Sequence, residues 1–334
     1  MCHRYVANVI VGKLHSERGH PGYMIHSEHL QACNSTTIAK VFQNALQLLW
    51  PEGILYNDVL LLVTDGAGYM KKAAHSLSIL YSSMLRITCV AHTLPLVAET
   101  IRSNFKKTDS LITLVKNVFR KSPKRVQKFK EKYPNIPLPP SPVCTRWGTW
   151  LRAAEYYADH LLAIEDVVKL FKDKNAVSIR EAKALFQNHK SELISELATI
   201  REHYSFLAHS ITKLEASGSK LFDSINELKN VTTKLSSVPD KNVKDRMIEV
   251  LQKNAGLHVL SAVVTKNAEK MKSYTQLKQR SPSFIASLAY APIVSTDVER
   301  SFSAYKRILT DVRRFLFENL KMYVVLACFQ PGDE

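Results

Sequence analysis

The sequence predicts an α/β region, a large all-α block after it, and a helical C-terminal segment. Strand-like and helix-like stretches alternate over the first hundred residues, which is typical of an α/β layer. Apolar residues then recur every three or four positions from about 104 to 280, which is the spacing of amphipathic helices. Glycine is scarce, with 10 in 334 residues. Since the usual fraction is about 7%, this composition favours helix and excludes glycine-rich architectures.

The α/β region contains four strand candidates and three helix candidates. Five consecutive apolar residues, Val59–Val63, predict a strand that is buried on both faces. Asn34-Ser35 is expected to cap the first helix, because short polar side chains bind the free N–H groups of a helix start. The other predicted strands are Tyr5–Leu14, Pro21–Ile25 and Met84–Val90, and the predicted helices are Thr36–Trp50, a helix ending near Tyr81, and Ala91–Ile101.

The helical block is interrupted once, by a segment that cannot be helical. Tyr133–Pro142 holds five prolines and predicts an extended connector. The final segment, Thr296 to Phe329, predicts one long amphipathic helix or a helix pair. We expect boundaries at 1–104, 105–285 and 286–330. The predicted helices of the block are Leu111–Lys132, Trp150–Phe171, Ser178–Lys213, Gly218–Leu235, Val243–Gln252 and Val259–Leu277.

The chain is strongly basic, with 46 Lys and Arg against 30 Asp and Glu and a net charge of +16. A surplus of this size indicates a polyanionic partner, most often nucleic acid, although a basic surface that only maintains solubility is the alternative. Arg102–Lys132 is the richest run, with eleven basic and two acidic residues. We expect it to follow a phosphate backbone, and a solvated helix face is the alternative. The candidate DNA contacts in this run are Lys116, Arg120, Lys121, Lys124, Arg125 and Lys128.

Cysteine usage indicates a reducing compartment, and hydropathy indicates no membrane span. The five cysteines are scattered and form no Cys-x-x-Cys pair, so neither a disulfide framework nor a Cys-rich zinc module is implied. The start of the chain reads as a strand rather than a secretory signal, and no stretch approaches the ~18 apolar residues of a membrane span. We therefore expect no membrane partner, and the charge favours the nucleus.

Four acidic or metal-ligating residues stand out. Asp65 follows the best buried strand, at the edge where α/β sheets hold ligands, and could bind Mg²⁺; an Asp-Gly turn is the favoured alternative. Cys89 and His92 could form half of a zinc site, but a packed Cys with a hydrogen-bonded His is favoured. Glu299 stands three residues after Thr296, so a helix-capping role is favoured from spacing.

Thr145-Arg146-Trp147 directly follows the proline connector. An Arg beside an aromatic residue suits nucleic acid, because the cation meets phosphate and the indole can stack on a base. The equally weighted alternative is a hydrophobic anchor at the start of the next helix.

Four motifs occur in one order: Val63-Thr64-Asp65-Gly66-Ala67, Cys89-x-x-His92, Thr145-Arg146-Trp147, and Val298-Glu299-Arg300-x-Phe302-Ser303. Together they resemble the hAT superfamily of DNA transposases, over essentially the whole chain. The likeness is greatest to domesticated, transposon-derived proteins that are similar to CGG triplet-repeat-binding protein, which implies a role in transcription regulation.

The resemblance implies an RNase H-like core that is interrupted by a helical insertion, with a C-terminal dimerisation region. It implies two-metal phosphoryl transfer by an Asp-Asp-Glu triad, in which Asp65 matches the second Asp and Glu299 the Glu. It also assigns motif positions to Cys89, His92, Arg300 and Phe302, and DNA contacts to Arg146 and Trp147. No small-molecule substrate is implied, and Mg²⁺ is the cofactor if the protein is active.

The triad is incomplete in this sequence. The first Asp of the family lies on a strand upstream of Tyr5–Leu14, and no acidic residue precedes Glu17. We therefore expect an RNase H-like core without its first strand, with a gap between the Tyr5–Leu14 and Val59–Val63 strands. The favoured function is a catalytically inactive, nuclear DNA-binding protein. An active transposase with a longer N-terminus and a helical protein–protein adaptor are the alternatives.

Overall fold

The chain is mostly helical, with two small sheets. The computed structural model describes residues 5–15, 22–142, 147–172, 176–216, 218–274, 277, 280–309 and 317–329. The chain divides into two compact units. The sheet-bearing unit comprises residues 1–93, 214–228 and 250–334, and the helical unit comprises residues 94–213 and 229–249. No helix among the described residues is long and apolar enough to span a membrane.

The described strands form two separate pairs. β1 (Tyr5–Val11) is antiparallel to β2 (Tyr23–Leu30), with a register irregularity between Val9 and Ile10. β3 (Leu61–Thr64) is parallel to β4 (Leu85–Thr88). Among the described residues, β1 pairs only with β2 and β3 only with β4, so β1 and β3 share no hydrogen-bonded ladder.

The helices of the α/β region connect the strands as the sequence predicts. α1 (Ser35–Leu49) leads from β2 to β3, α2 (Gly68–Leu80) leads from β3 to β4, and α3 (Val90–Asn104) follows β4. Asn34 caps α1, since its side-chain oxygen accepts from the Thr37 N–H at 2.9 Å. α1 and α2 pack around one apolar cluster, whose buried members are Leu46, Val59, Leu77, Tyr81 and Met84.

The free edge of β4 is covered by α11 (Ala255–Val264). Asn254, just before this helix, uses its side-chain amide like a neighbouring strand: Nδ2 donates to Thr88 O at 2.7 Å and Oδ1 accepts from Thr88 N at 3.1 Å. The next turn approaches so closely that a Cβ on Gly256 would lie 2.2 Å from Arg86 O. The Asn254 amide thus satisfies both backbone groups of Thr88, and the close approach of α11 leaves no room for another strand along this edge of β4.

Two further helices complete the sheet-bearing unit. α14 (Thr296–Ile308) lies against β1, where the side-chain amide of Asn8 donates to Ser301 Oγ at 2.9 Å. α15 (Phe317–Phe329) buries Leu320 and Val324 together with Met24 of β2. The C-terminal segment is therefore a helix pair, which was one of the two predicted forms.

The helical unit is built from long amphipathic helices. Its clearest apolar cluster joins buried Val118, Phe129, Val167, Phe171 and Ile179. The remaining helices of the chain are α4 (Lys106–Phe119), α5 (Pro123–Lys132), α6 (Trp147–Leu170), α7 (Val177–Asn188), α8 (Lys190–Leu214), α9 (Leu221–Ser237), α10 (Lys241–Gln252), α12 (Ala268–Ser273) and α13 (Pro282–Leu288).

Three predicted helices are each divided in two. Leu111–Lys132 becomes α4 and α5, because Pro123 cannot continue a helix and Lys121 adopts a φ of 54°, in the left-handed region. Ser178–Lys213 breaks at His189 into α7 and α8. Val259–Leu277 breaks after α11, where Lys266 has a φ of 49°. The break that prolines predict at 133–142 is confirmed, since no helix or strand crosses it.

One expectation about the strands needs correction. β3 is half-buried rather than buried on both faces, because among the described elements only β4 packs closely along it. The boundaries expected at 104 and 285 differ from the division into compact units, in which the helical unit begins at 94 and its last segment ends at 249. α11 packs on β4 within the sheet-bearing unit.

We predict that Gly256→Ala lowers the thermal midpoint of unfolding, whereas Gly68→Ala does not. The added methyl of the first variant meets the Arg86 carbonyl, and overpacking of this kind costs about 1–3 kcal/mol. Gly68 is the matched control, because it also begins a helix and a Cβ there meets nothing within 4 Å. Calorimetry of both variants checks this, and equal midpoints would contradict the contact between α11 and β4.

Candidate functional site

The carboxyl ends of β3 and β4 lie side by side. Thr64 and Thr88 are register partners, and the Cys89 N–H donates to Thr64 O at 2.8 Å. Asp65 therefore stands beside Cys89 at the edge where parallel sheets hold ligands. One carboxylate oxygen of Asp65 accepts from the Ala67 N–H at 3.0 Å, so this side chain also shapes the turn. Both the predicted turn and the predicted position at the sheet edge are present.

Helix α14 brings Glu299 to the same edge. The Glu299 Oε1 atom lies 3.2 Å from His92 Nε2, in the first turn of α3 directly after Cys89. Two backbone donors fix the segment before α14: Val90 N–H binds Ile293 O at 2.9 Å, and Ser295 N–H points at Cys89 Sγ at 3.2 Å. The two acids, separated by more than 230 residues in sequence, are thus both placed at the carboxyl end of the β3–β4 pair.

The capping role that spacing favours for Glu299 is wrong. The helix begins one residue earlier, with Ser295 at the N-cap position, and no side chain caps it. The Thr296 hydroxyl is buried and has no hydrogen-bond partner among the described residues. The acid is 53% exposed and is directed to His92 instead, because the contacts of the preceding segment with Cys89 and Val90 set the position of the helix.

Cys89 and His92 are electrostatically coupled. Contact with the Cys89 thiol, and secondly with the Glu299 carboxylate, raises the pKa of His92 to about 10. Burial of Cys89 opposes ionisation, but His92 and the Ser295 N–H outweigh it and lower the pKa of the thiol. At neutral pH the imidazole is therefore a cation.

A protonated His92 makes this edge a poor magnesium site. Mg²⁺ prefers carboxylate oxygens with water, whereas here the Glu299 carboxylate is already paired with an imidazolium. Among the described residues, no group of three His, Cys, Asp or Glu side chains could hold a metal ion. The favoured interpretation of Cys89 as a packed residue agrees with its 1% exposure. The donors present do not fit the metal that the resemblance implies.

The other motif residues lie nearby on α14 or outside the described chain. Arg300 is exposed, and its guanidinium lies 3.4 Å from the Asp297 carboxylate. Phe302 is half-buried on the same helix. Arg146 lies outside the described residues, and of Trp147 the structure describes only the backbone, which begins α6. Their predicted DNA contacts stay predictions.

The basic run is distributed over the end of α3, α4, α5 and the loop between the last two. Some of its cations have partners: Arg102 binds Asp109 at 2.6 Å, Lys116 donates to Pro142 O at 3.0 Å, and Arg125 donates to Val118 O at 2.9 Å. Six others have no side-chain partner among the described residues, and we call them the cation cluster: Lys106, Arg120, Lys121, Lys124, Lys128 and Lys130.

Sequence reasoning did not single out the polar face of α4. Asp109, Thr113, Lys116 and Asn117 follow one another at helical spacing, opposite the buried Leu111 face. The Trp150 indole N–H donates to Asp109 at 3.0 Å, which ties α6 to this face. The recurrence of polar residues at intervals of three and four was the signal that could have identified it.

Neither a scan against models of known protein families nor a search of curated protein sequences gives a match. The family resemblance is therefore carried by the four sequence motifs.

We predict that His92 titrates near pH 10 in the folded protein and that Cys89→Ala lowers this pKa more than Glu299→Gln does. The thiol is the larger cause of the raised pKa, and the carboxylate is the second. Because the folded pKa lies above the ordinary 6.5, protonated His92 stabilises the fold fully below about pH 6.5, and this contribution is lost as the pH rises through about 10.

Imidazole chemical shifts, followed by NMR from pH 5 to 11, measure the titration. Asp297→Asn is the control, since it removes an acid from the same helix without touching His92. A wild-type His92 that titrates near its ordinary value would show that the three side chains do not form this cluster.

Proposed function

We propose that this chain is a DNA-binding protein of hAT-transposase descent that holds DNA through the cation cluster and does not cut it. The cation cluster is the observation that carries the proposal. Six cationic side chains along α4, α5 and their loop have no partner among the described residues. Lys106 begins α4, Arg120 follows it, and Lys130 lies near the end of α5, so the cluster follows two consecutive helices.

Unpartnered cations have a physical consequence that paired ones lack. A cation already neutralised by a carboxylate, such as Arg102 by Asp109, gains little from a phosphate. A free cation that binds a phosphate releases a condensed counterion from DNA. For each phosphate neutralised, a plot of log affinity against log salt concentration becomes steeper by about 0.9. The cluster therefore supports backbone binding without sequence preference of its own.

The descent from a transposase has separate support in the sheet-bearing unit. Asp65 and Glu299, the two acids that the resemblance assigns, occupy one end of the β3–β4 pair. The antiparallel β1–β2 pair and the parallel β3–β4 pair are separate in the described residues. An RNase H-like core with a gap between Tyr5–Leu14 and Val59–Val63 would have this arrangement.

The same edge argues against catalysis. Two-metal phosphoryl transfer needs carboxylates that hold both cations. Here one of the two acids is paired with protonated His92, whose positive charge repels a metal ion. The active transposase is the second candidate, and the observation that favours it is that Asp65 follows β3 while Glu299 contacts His92, just after β4.

Nuclear localisation and self-association belong to the same proposal. On α15, Leu320 and Val324 pack into the unit, whereas Met322 and Leu326 are 60% and 65% exposed. An apolar surface of this kind supports the self-association that the resemblance implies for the C-terminal region. The helical adaptor is the third candidate, and a DNA-binding measurement separates it from the first two.

We predict that the purified chain does not nick a DNA duplex in the presence of Mg²⁺. The donors at the β3–β4 edge do not fit the metal, so supplying it does not create a catalytic centre. Incubation of supercoiled plasmid with the protein, followed by gel electrophoresis, is the measurement. Nicking that depends on Mg²⁺ and disappears in Asp65→Asn would establish the active transposase instead.

We predict that changing Arg120, Lys121, Lys124 and Lys128 together to Gln reduces DNA affinity and flattens its salt dependence. If each cation contacts one phosphate, the slope falls by about 3 to 4. Fluorescence anisotropy with a 20-base-pair duplex between 50 and 300 mM salt measures both quantities.

The matched control removes four exposed cations that also have no described partner but lie on four different segments of the chain. Changing Lys40, Lys172, Lys229 and Lys241 to Gln alters the net charge equally. We expect this control to lose much less affinity than the cluster variant. Equal losses of affinity in the two variants would show that only the net charge of the protein matters, not the location of the cations. Wild-type protein that does not bind DNA at 0.1 M salt would favour the adaptor.

A further inference from the structure

A small cavity opens between α4 and the segments around it in the helical unit. Its volume is about 160 Å³, which is below the roughly 300 Å³ at which sites for whole small molecules begin. The cavity therefore has the size for one compact group. The residues that line it are Arg102, Asp109, Ile112, Thr113, Lys116, Asn117, Arg120, Pro142 and Trp150.

The single carboxylate of the cavity is already neutralised. Asp109 Oδ1 accepts from Arg102 Nε at 2.6 Å and from Trp150 Nε1 at 3.0 Å, and Oδ2 accepts from Arg102 Nη2 at 3.2 Å. The Asp109–Arg102 pair therefore contributes no net charge. What remains in the lining is the positive charge of Lys116 and Arg120.

Both cations have N–H donors that make no hydrogen bond among the described residues. The Lys116 ammonium gives one hydrogen bond, to Pro142 O, and this contact holds the side chain against the end of the proline connector. Two of its three protons stay available. Arg120 has no side-chain partner among the described residues, so its planar guanidinium can donate to a tetrahedral anion through two N–H groups.

Neutral donors complete the lining. Thr113 and Asn117 lie one turn apart on α4, and neither side chain has a hydrogen bond among the described residues. The Asn117 amide can donate to an anionic oxygen. Trp150 is 2% exposed and donates to Asp109, so its indole is held against the polar face of α4.

We propose that this cavity binds one phosphate group of a bound nucleic acid, held by Arg120, Lys116 and Asn117. The proposal rests on the DNA-binding function argued above and deepens it. Arg120 belongs both to the cavity and to the cation cluster, and Lys121 and Lys124 continue from it along the chain. A phosphate seated here fixes the register of the backbone, whereas the exposed lysines contact neighbouring phosphates without fixing it.

The first experiment measures the phosphate itself. The indole N–H resonance of Trp150, assigned with Trp150→Phe, is followed by NMR during titration with inorganic phosphate at constant ionic strength. We expect a saturable shift in wild type and in Lys130→Gln, and none in Arg120→Gln. Lys130 is the matched control, because it is an exposed, unpartnered cation on α5 that does not line the cavity.

The second experiment measures DNA binding by the same variants. Both substitutions remove one cation, so both lower the salt slope by about one. Arg120→Gln should lower affinity about tenfold more than Lys130→Gln, because it also removes a directed, charge-assisted hydrogen bond. Asn117→Leu should lower affinity with the salt slope unchanged.

The outcomes separate the two proposals. The cavity site would be overturned if Arg120→Gln and Lys130→Gln bound DNA equally well, or if phosphate produced no saturable Trp150 shift. Either result would leave backbone binding by the cation cluster intact. Wild-type protein without salt-dependent DNA binding would overturn the function, whereas a saturable Trp150 shift in that protein would assign the cavity to a free phosphate compound. The circular dichroism spectrum of each variant is compared with that of wild type, so that a misfolded variant is not mistaken for one that has lost binding.

Discussion

The carboxyl end of β4 is held by hydrogen bonds from parts of the chain that are far away in sequence. The side-chain amide of Asn254 binds both backbone groups of Thr88, and Val90 N–H binds Ile293 O. These contacts supply hydrogen-bond partners to backbone groups at the end of β4 that the β3–β4 pair does not satisfy. They also fix where the following segment runs, and hence where Glu299 can reach.

This constraint determines the chemistry of the strand ends. Once the segment before α14 is fixed against Cys89, Glu299 faces His92, and the thiol and the carboxylate together keep the imidazole protonated. A cation built from the chain then occupies the edge at which the family resemblance expects a metal ion. The contacts that bring Glu299 to this edge are thus the same ones that pair it with His92.

Positive charge has a different role in the helical unit. Cations that face the unit are used internally, as Arg102 is by Asp109 and Lys116 by a backbone carbonyl. The six cations of the cation cluster remain unpaired among the described residues, whereas the exposed Lys132 at the end of α5 pairs with Asp166. The nucleic-acid binding proposed above would account for the recurrence of unpaired cations along these two consecutive helices.

The sequence by itself determined the strands and helices of the α/β region, the cap at Asn34 and the proline break, because these follow from local periodicity and backbone chemistry. It also marked Asp65 and Glu299, although local spacing favoured a cap for the acid on α14. Only the tertiary structure decided that Glu299 pairs with His92 and that α11 covers β4. Both contacts join residues about 170 or more positions apart, and no periodicity within a single element encodes a partner at that distance.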